Sequence, residues 1–249
     1  MAGAAYLNAK AAYSAGAGLV QIYTHEDNRV ILQQALPEAI ISTYETFNEN
    51  QLKQLFDRSD VLLIGSGLGK SDLSEKIFTY AIQYAKIPSV IDGDGLTLLA
   101  EDLSLLEHKK QVILTPHLKE MSRLLQCSVE EVQKNKITVL KNFVREYPIV
   151  CAMKDARTFV AADGEDIYIN TTGNHAMAKA GAGDVLAGII VGFLAQKMKC
   201  KDACEIGVYV HGLCGDYAQK EKGSYSVLAN DLLDAISHVM RKLEKEQTR

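Results

Sequence analysis

Two rhythms of apolar residues alternate along this chain. Short unbroken runs, Val61-Leu62-Leu63-Ile64, Ser89-Val90-Ile91-Asp92 and Val112-Ile113-Leu114-Thr115, have the length and branched side chains of strands buried on both faces. Residues 149–153 read the same way. Between these runs the apolar positions fall at helical spacing. Residues 71–85 form an amphipathic helix, another begins at 95–100, and residues 118–125 and 129–147 are predicted as two more. Upstream, residues 2–15 are helix formers halted by Gly16 and Gly18. A strand at 18–23, a short helix at 30–34, a strand at 39–43 and a helix at 50–57 follow. Downstream, strands at 158–162 and 166–169 flank an Asp163-Gly164 hairpin turn, and helices at 183–197, 202–221 and 230–246 complete the pattern. This alternation predicts an α/β fold with a central, mostly parallel sheet flanked by helices on both faces. Ligands in such sheets bind beyond the carboxyl ends of the strands, so the loops after the strands are the candidates for chemistry.

Composition narrows the function classes. The 249 residues fit one large domain, and 47% apolar with 23% charged residues is ordinary for a globular protein. A formal net charge of -4 offers no attraction to nucleic acid or an anionic membrane surface, and no apolar run has the length of a membrane span. Residues 1–20 lack the basic start of a signal peptide. The cysteines, Cys127, Cys151, Cys200, Cys204 and Cys214, are odd in number and scattered, which points to reduced thiols in a cytoplasm. No motif offers direct protein ligands to a metal.

The densest chemistry lies at residues 170–194. Ala180-Gly181-Ala182-Gly183-Asp184 leads into an apolar helix. Tiny side chains let a ligand approach the backbone, and the unpaired N–H groups of a helix start attract anions. Asp184 in the first turn adds a carboxylate that can take a proton, so the run suits phosphoryl transfer. Tight helix packing with Asp184 as a cap is the competing explanation. Gly65-Ser66-Gly67-Leu68-Gly69-Lys70-Ser71 looks like a P-loop, but Ile64 stands where that motif needs its first glycine. Asp92 at a strand end could bind hydroxyls or a hydrated cation, while Asp94 caps the following helix. The Thr115-Pro116 turn places His117 at a helix start, where a neutral imidazole is favoured, and Glu120 fixes that turn. Lys154-Asp155-Ala156-Arg157-Thr158 is a basic loop able to meet phosphate. His211 reads as a packed helix residue.

Taken in order, these segments resemble the ribokinase-like superfamily, and within it the NAD(P)H-hydrate dehydratases. The family's Gly-Gly-Thr-Gly-Asp is similar to residues 180–184, with Ala180 and Ala182 as departures. Its Gly-Pro-Gly-Leu-Gly matches residues 65–69 with Ser66 for Pro, and its Asp-Ala-Asp-Ala-Leu matches residues 92–96 with Gly93 and Gly95 for the alanines. Thr-Pro-His-Pro-Gly-Glu matches residues 115–120 with Leu118 and Lys119 for Pro-Gly, and Lys-Gly-x-x-Thr matches residues 154–158 with Asp155 for Gly. The resemblance implies a ribokinase-like fold and an ADP- or ATP-dependent dehydration of (S)-NAD(P)H hydrate. It implies Asp184 as the base and an anion hole at Gly181, Ala182 and Gly183. Nucleotide would meet Lys154, Asp155, Ala156, Arg157, Thr158 and Gly183. Hydrate would meet Ala5, Gly67, Asp92, His117 and Asp184. Mg2+ would arrive on the nucleotide, the partners would be small molecules, and the chain would form a homo-oligomer such as a tetramer. The match starts inside the family's Gly-Ala-Ala-Tyr-Leu, at Gly3-Ala4-Ala5-Tyr6-Leu7, so a single domain over residues 1–249 is expected to lack the family's first strand and Gly-rich loop. The alternatives are a small-molecule kinase of the same superfamily, of the hydroxymethylpyrimidine or sugar type, and a non-catalytic nucleotide-binding protein.

Overall fold

The computed structural model describes residues 1–247. It opens with α1 (Ala2–Ser14), β1 (Gln21–His25), α2 (Arg29–Ala35), β2 (Ile40–Tyr44) and α3 (Glu49–Asp57). The regular alternation follows as β3 (Leu62–Ile64), α4 (Asp72–Tyr84), β4 (Ser89–Ile91), α5 (Asp94–Leu99), β5 (Val112–Leu114), α6 (Leu118–Leu124), α7 (Val129–Lys134), α8 (Lys136–Glu146) and β6 (Val150–Met153). β7 (Phe159–Ala161), β8 (Tyr168–Ile169), α9 (Ala182–Ala195), α10 (Cys200–Lys222) and α11 (Ala229–Gln247) come last.

The strands from β3 to β8 form a 6-stranded sheet in chain order. β3, β4, β5 and β6 run parallel, whereas β7 and β8 turn back antiparallel through the expected Asp163-Gly164 turn. The register aligns Ile64 with Ile91, Ile91 with Leu114, and Leu114 with Cys151. β3, β4 and β5 therefore stop together while β6 runs on to Met153, and their loops open on one edge. β1 and β2 pair with each other in a separate 2-stranded parallel sheet. β3 is thus an edge strand, where one continuous sheet was expected.

Alternate residues of the strands feed two cores, as a sheet covered on both faces requires. Val90, Ile113, Val150 and Ala152 join the core under α9, α10 and α11. Ile91, Leu114, Cys151 and Met153 join the core on the opposite face, with side chains from α4 to α8. The helix predicted over 129–147 is broken at Asn135, whose backbone leaves the helical region and whose side-chain amide bonds back to the Glu131 carbonyl. Asparagine competes for the backbone in this way and favours helix ends.

α9 is locked against α1 by missing side chains. A Cβ on Gly188 would lie 2.3 Å from the Asn8 carbonyl oxygen, and one on Gly192 would lie 2.6 Å from the Ala15 Cβ. Alanines at 11, 12 and 15 complete this close crossing, which fixes the start of α9 relative to the sheet edge. Gly188→Val is expected to lower the unfolding free energy by about 1–3 kcal/mol, the cost of overpacking. Gly3→Ala, where nothing lies within 4 Å of an added Cβ, is expected to raise it by up to about 1 kcal/mol. Chemical denaturation of both variants measures the contrast.

Candidate active site

The site begins at the cap of α9. Gly181 has φ 88, a left-handed conformation, and a Cβ there would press on Leu7 and Ala229. The chain can then enter the helix with Ala182, Gly183 and Asp184 as its first turn. The Ala182 N–H donates to the Lys179 carbonyl at 3.3 Å, so it is folded into the preceding turn. Of the three positions expected to form the anion hole, Gly181 shapes the bend and Gly183, in the first turn, has an N–H without an intrahelical acceptor. The helix start also leaves the Asp184 N–H without an intrahelical acceptor. A Cβ on Gly183 would lie 3.3 Å from the Lys154 Nζ, so backbone and ammonium face the same spot.

Aligned strand ends bring the other groups here. Asp92 follows β4, Thr115 follows β5, and Lys154 follows β6. The Lys154 N–H bonds to the Pro116 carbonyl at 2.7 Å, which carries the β5 and β6 loops together as far as a bridge between His117 and Lys154. Asp92 is buried and receives donors on both oxygens. Thr115 Oγ1 and Lys154 Nζ donate to Oδ1 at 2.6 Å and 2.8 Å, and Ser66 Oγ donates to Oδ2 at 3.1 Å. Burial disfavours the Lys154 proton, but the carboxylates of Asp92, Glu120 and Asp184 hold its pKa above the usual lysine value. Asp184 is treated differently. Burial, then the charge of Asp92, pushes its carboxyl up to about 6, although Lys154 and a hydrogen bond from Ser66 pull the other way.

The remaining expected residues fall as follows. His117 is the N-cap of α6: its Nδ1 accepts the Lys119 and Glu120 N–H groups at 3.1 Å, and Glu120 Oε2 accepts the His117 N–H at 2.8 Å. This reciprocal cap leaves half of the ring exposed, and Nε2 lies 3.4 Å from Glu120 Oε1. Gly67 (φ 66) takes the Met1 amino group on its carbonyl at 2.6 Å and would crowd Met1 and Ala4 if it carried a Cβ. Ala5 instead packs with the satellite core around Ile22 and Leu32, so Ala4 rather than Ala5 meets Gly67. Asp94 was expected to cap the following helix but does not. Gly93 occupies that position, and Asp94 Oδ2 accepts the Gly69 N–H at 2.9 Å, tying the β3 loop to the β4 loop. Ser71 caps α4 and Lys70 is exposed, as a plain turn would have them.

In the loop after β6, the charge of Asp155 is met by an ion pair with Lys136. Burial opposes ionisation there, but Lys136 and the Ala156 N–H outweigh it and hold that carboxyl below the usual range. Arg157 Nη1 donates to the Thr171 carbonyl at 2.8 Å, and the Asn170 N–H donates to the Thr158 carbonyl at 2.9 Å. The 154–158 loop is thereby joined to the turn that precedes α9. Sequence reasoning missed what holds that turn. Asp216 of α10 accepts the Gly173 N–H at 3.0 Å and the Asn174 side-chain amide at 2.9 Å. A Gly215-Asp216 pair inside an apolar helix was the available signal. His211 of α10 packs beside the Ala182 backbone, where burial pushes it down to about 4 and Nε2 has no partner. Chemically, the Lys154 ammonium and the first N–H groups of α9 suit phosphate oxygens. Asp92 and Asp94 supply the hard oxygen atoms that a hydrated Mg2+ prefers.

Comparison with known proteins identifies the family. A family model described as NAD(P)H-hydrate dehydratase matches residues 1–238. The chain is 37% identical over 256 residues to a bifunctional NAD(P)H-hydrate repair enzyme Nnr of Moorella thermoacetica, covering 99% of this chain and 48% of that one. It thus spans about half the length of the bifunctional relatives it matches. It is 31% identical to an ADP-dependent (S)-NAD(P)H-hydrate dehydratase of Lactococcus lactis, covering 97% of this chain and 86% of that relative. An ADP/ATP-dependent NAD(P)H-hydrate dehydratase of Bacillus subtilis, co-crystallized with ATP/Mg2+ and soaked with CoA, superposes with a TM-score of 0.81 at 28% identity, covering 97% and 87% of the two chains. The ribokinase-like fold implied by the sequence is the fold observed. With the family model spanning nearly all of its residues, the chain belongs to the NAD(P)H-hydrate dehydratase family.

Proposed function

We propose that this chain dehydrates (S)-NAD(P)H hydrate at the expense of ADP or ATP. The observation that carries the reading is Asp184, set in the first turn of α9 beside Lys154, with its carboxyl pushed up to about 6. A base of that strength is ionised at neutral pH yet strong enough to take a proton as an alcohol becomes a nucleophile. Asp184 removes the proton of the ring hydroxyl. The hydroxyl oxygen forms a bond to the terminal phosphorus, and the bond from that phosphorus to the rest of the nucleotide breaks. The Gly183 and Asp184 N–H groups and Lys154 meet the charge spread over the phosphoryl oxygens. Mg2+ carried by the nucleotide would neutralise further phosphate charge, with Asp92 and Asp94 as the nearby oxygen donors. The ester then leaves as phosphate while the neighbouring ring carbon gives up a proton, and the double bond returns. His117 and Gly67 border the hydrate, and the 154–158 loop borders the nucleotide.

Several wider features support the same reading. Cys127, Cys151, Cys200, Cys204 and Cys214 are free thiols, which suits a reducing cytoplasm. Among the described residues no helix is long and apolar enough to cross a membrane, and the slight negative charge favours small-molecule partners over nucleic acid. Exposed Val30, Ile31 and Ile40 on α2 and β2 offer apolar surface for assembly into a homo-oligomer.

Purified protein given hydrate, Mg2+ and either nucleotide should recover the absorbance of the reduced nicotinamide; a stable phosphorylated product would point to a kinase instead. Asp184→Asn should lower kcat by about 10²-fold or more, the scale of a lost general base. Lys154→Ala should raise the KM for nucleotide more than that for hydrate. Asp184 also bears on stability. Its folded pKa lies above the ordinary value, so ionisation costs the folded state, fully above about pH 6 and not at all below the unfolded pKa. Asp184→Asn should therefore be more stable than the parent at neutral pH, by at most about 3 kcal/mol before solvent screening at this half-buried position reduces the gain. The advantage should fade as pH falls through about 6 towards about 4, which thermal denaturation across that range measures.

A further inference from the structure

The site carries more negative than positive charge before any nucleotide arrives. Asp92 and Asp94 repel Asp184, Glu120 lies close enough to act on Lys154, and that ammonium is itself paired with Asp92. Lys136, beside the next loop, is paired with Asp155. A nucleotide polyphosphate is an anion too, so this edge needs a cation that no carboxylate has neutralised. Lys179 is such a cation. It is exposed, and among the described residues its ammonium forms no ion pair. Its Nζ donates instead to the Tyr225 carbonyl at 3.2 Å, a neutral acceptor.

The backbone puts Lys179 at the bend before α9. Its carbonyl accepts the Ala182 N–H at 3.3 Å, closing a turn that keeps the two Cα atoms less than about 7 Å apart. Gly183, whose N–H has no intrahelical acceptor, comes next. The Tyr225 loop reaches the same bend: Ala229, four residues on, has its Cβ 3.0 Å from the position of a Cβ on Gly181. Lys154 approaches the other end, with Nζ 3.3 Å from the position of a Cβ on Gly183. A lysine ammonium is a compact charge on a flexible stem, and its bond to a charged oxygen is about twice as strong as a bond between neutral groups. We infer that Lys179 is a further nucleotide-binding residue, whose ammonium leaves the Tyr225 carbonyl for the polyphosphate as the nucleotide settles on the first turn of α9. The inference rests on the reading of this chain as nucleotide-dependent. Arg157 also rests on a carbonyl, that of Thr171, but it lies in the loop already expected to meet nucleotide. Lys179 lies outside that loop and supplies charge from the opposite side of the bend.

The test compares Lys179→Gln and Lys179→Arg with the parent. Glutamine removes the charge, yet its amide can still donate to the Tyr225 carbonyl, so the tether to that loop is kept. At low ionic strength Lys179→Gln should weaken ADP binding, measured by calorimetry with Mg2+ present, roughly 3-fold or more. In turnover assays the KM for nucleotide should rise by a similar factor, and by more than the KM for hydrate. The loss should shrink as salt is added, because screening removes the attraction that the parent enjoys. Lys179→Arg, which keeps the charge, should bind ADP nearly as the parent does. Unchanged ADP affinity in Lys179→Gln, a loss indifferent to salt, or an arginine variant no better than glutamine would overturn the inference. A parent that binds ADP without turning over hydrate would remove the dehydratase reading instead, and the calorimetry would still decide the role of Lys179. A parent that binds neither ADP nor ATP would overturn both.

Discussion

One ammonium group stands among more carboxylate than it can neutralise. Lys154 is held at 2.8 Å by Asp92, and that contact decides the electrostatics of everything nearby. A pair of unit charges about 4 Å apart is worth about 4 kcal/mol at the effective dielectric of a protein surface, and more when it is buried. Asp92, with Thr115 and Ser66 also donating to it, is well satisfied as an anion. Asp184 is left with a remnant of the Lys154 field and with the repulsion of Asp92. Burial first, and that repulsion second, raise its pKa, which is the property a base working near neutral pH needs.

The fold exists, at this edge, to hold that imbalance still. Residues Ile64, Ile91, Leu114 and Cys151 lie abreast, so Ser66, Asp92, Thr115 and Lys154 arrive from consecutive strands at the same level. α9 comes from outside the sheet and must be brought in at a fixed height. The glycines at 188 and 192 let α1 grip it, Gly181 supplies the bend at its start, and Asp216 clamps the turn before it. Stability is given up at Asp184 and regained in the two cores.

Much of this could be read from the residues alone. The strand runs and helical spacings gave the architecture because burial on both faces leaves an unbroken apolar signature. Asp184 stood out because small residues, a helix start and an acid occur together in five positions. What stayed hidden depended on partners remote in sequence. Lys154 and Asp92 are 62 positions apart, and Asp216 and Gly173 are 43 apart, so no local pattern announces either contact. Asp94 has the composition of a helix cap, yet it turns to the Gly69 N–H because the neighbouring loop offers a better donor. Likewise Ala182 has the place of an anion-hole residue, but its N–H is drawn into the turn with Lys179. The break at Asn135 is a local matter that helical periodicity is too coarse to register.

The central claim is that burial, reinforced by the charge of Asp92, raises the proton affinity of Asp184. The most direct measurement is a carbon-detected pH titration of the Asp184 carboxyl in the unliganded parent and in Asp92→Asn. The account requires a midpoint near 6 in the parent and a clearly lower one in the variant, where a repelling charge has gone and the ammonium is released. A parent midpoint in the ordinary carboxylate range, or one that does not fall when Asp92 is neutralised, would contradict it.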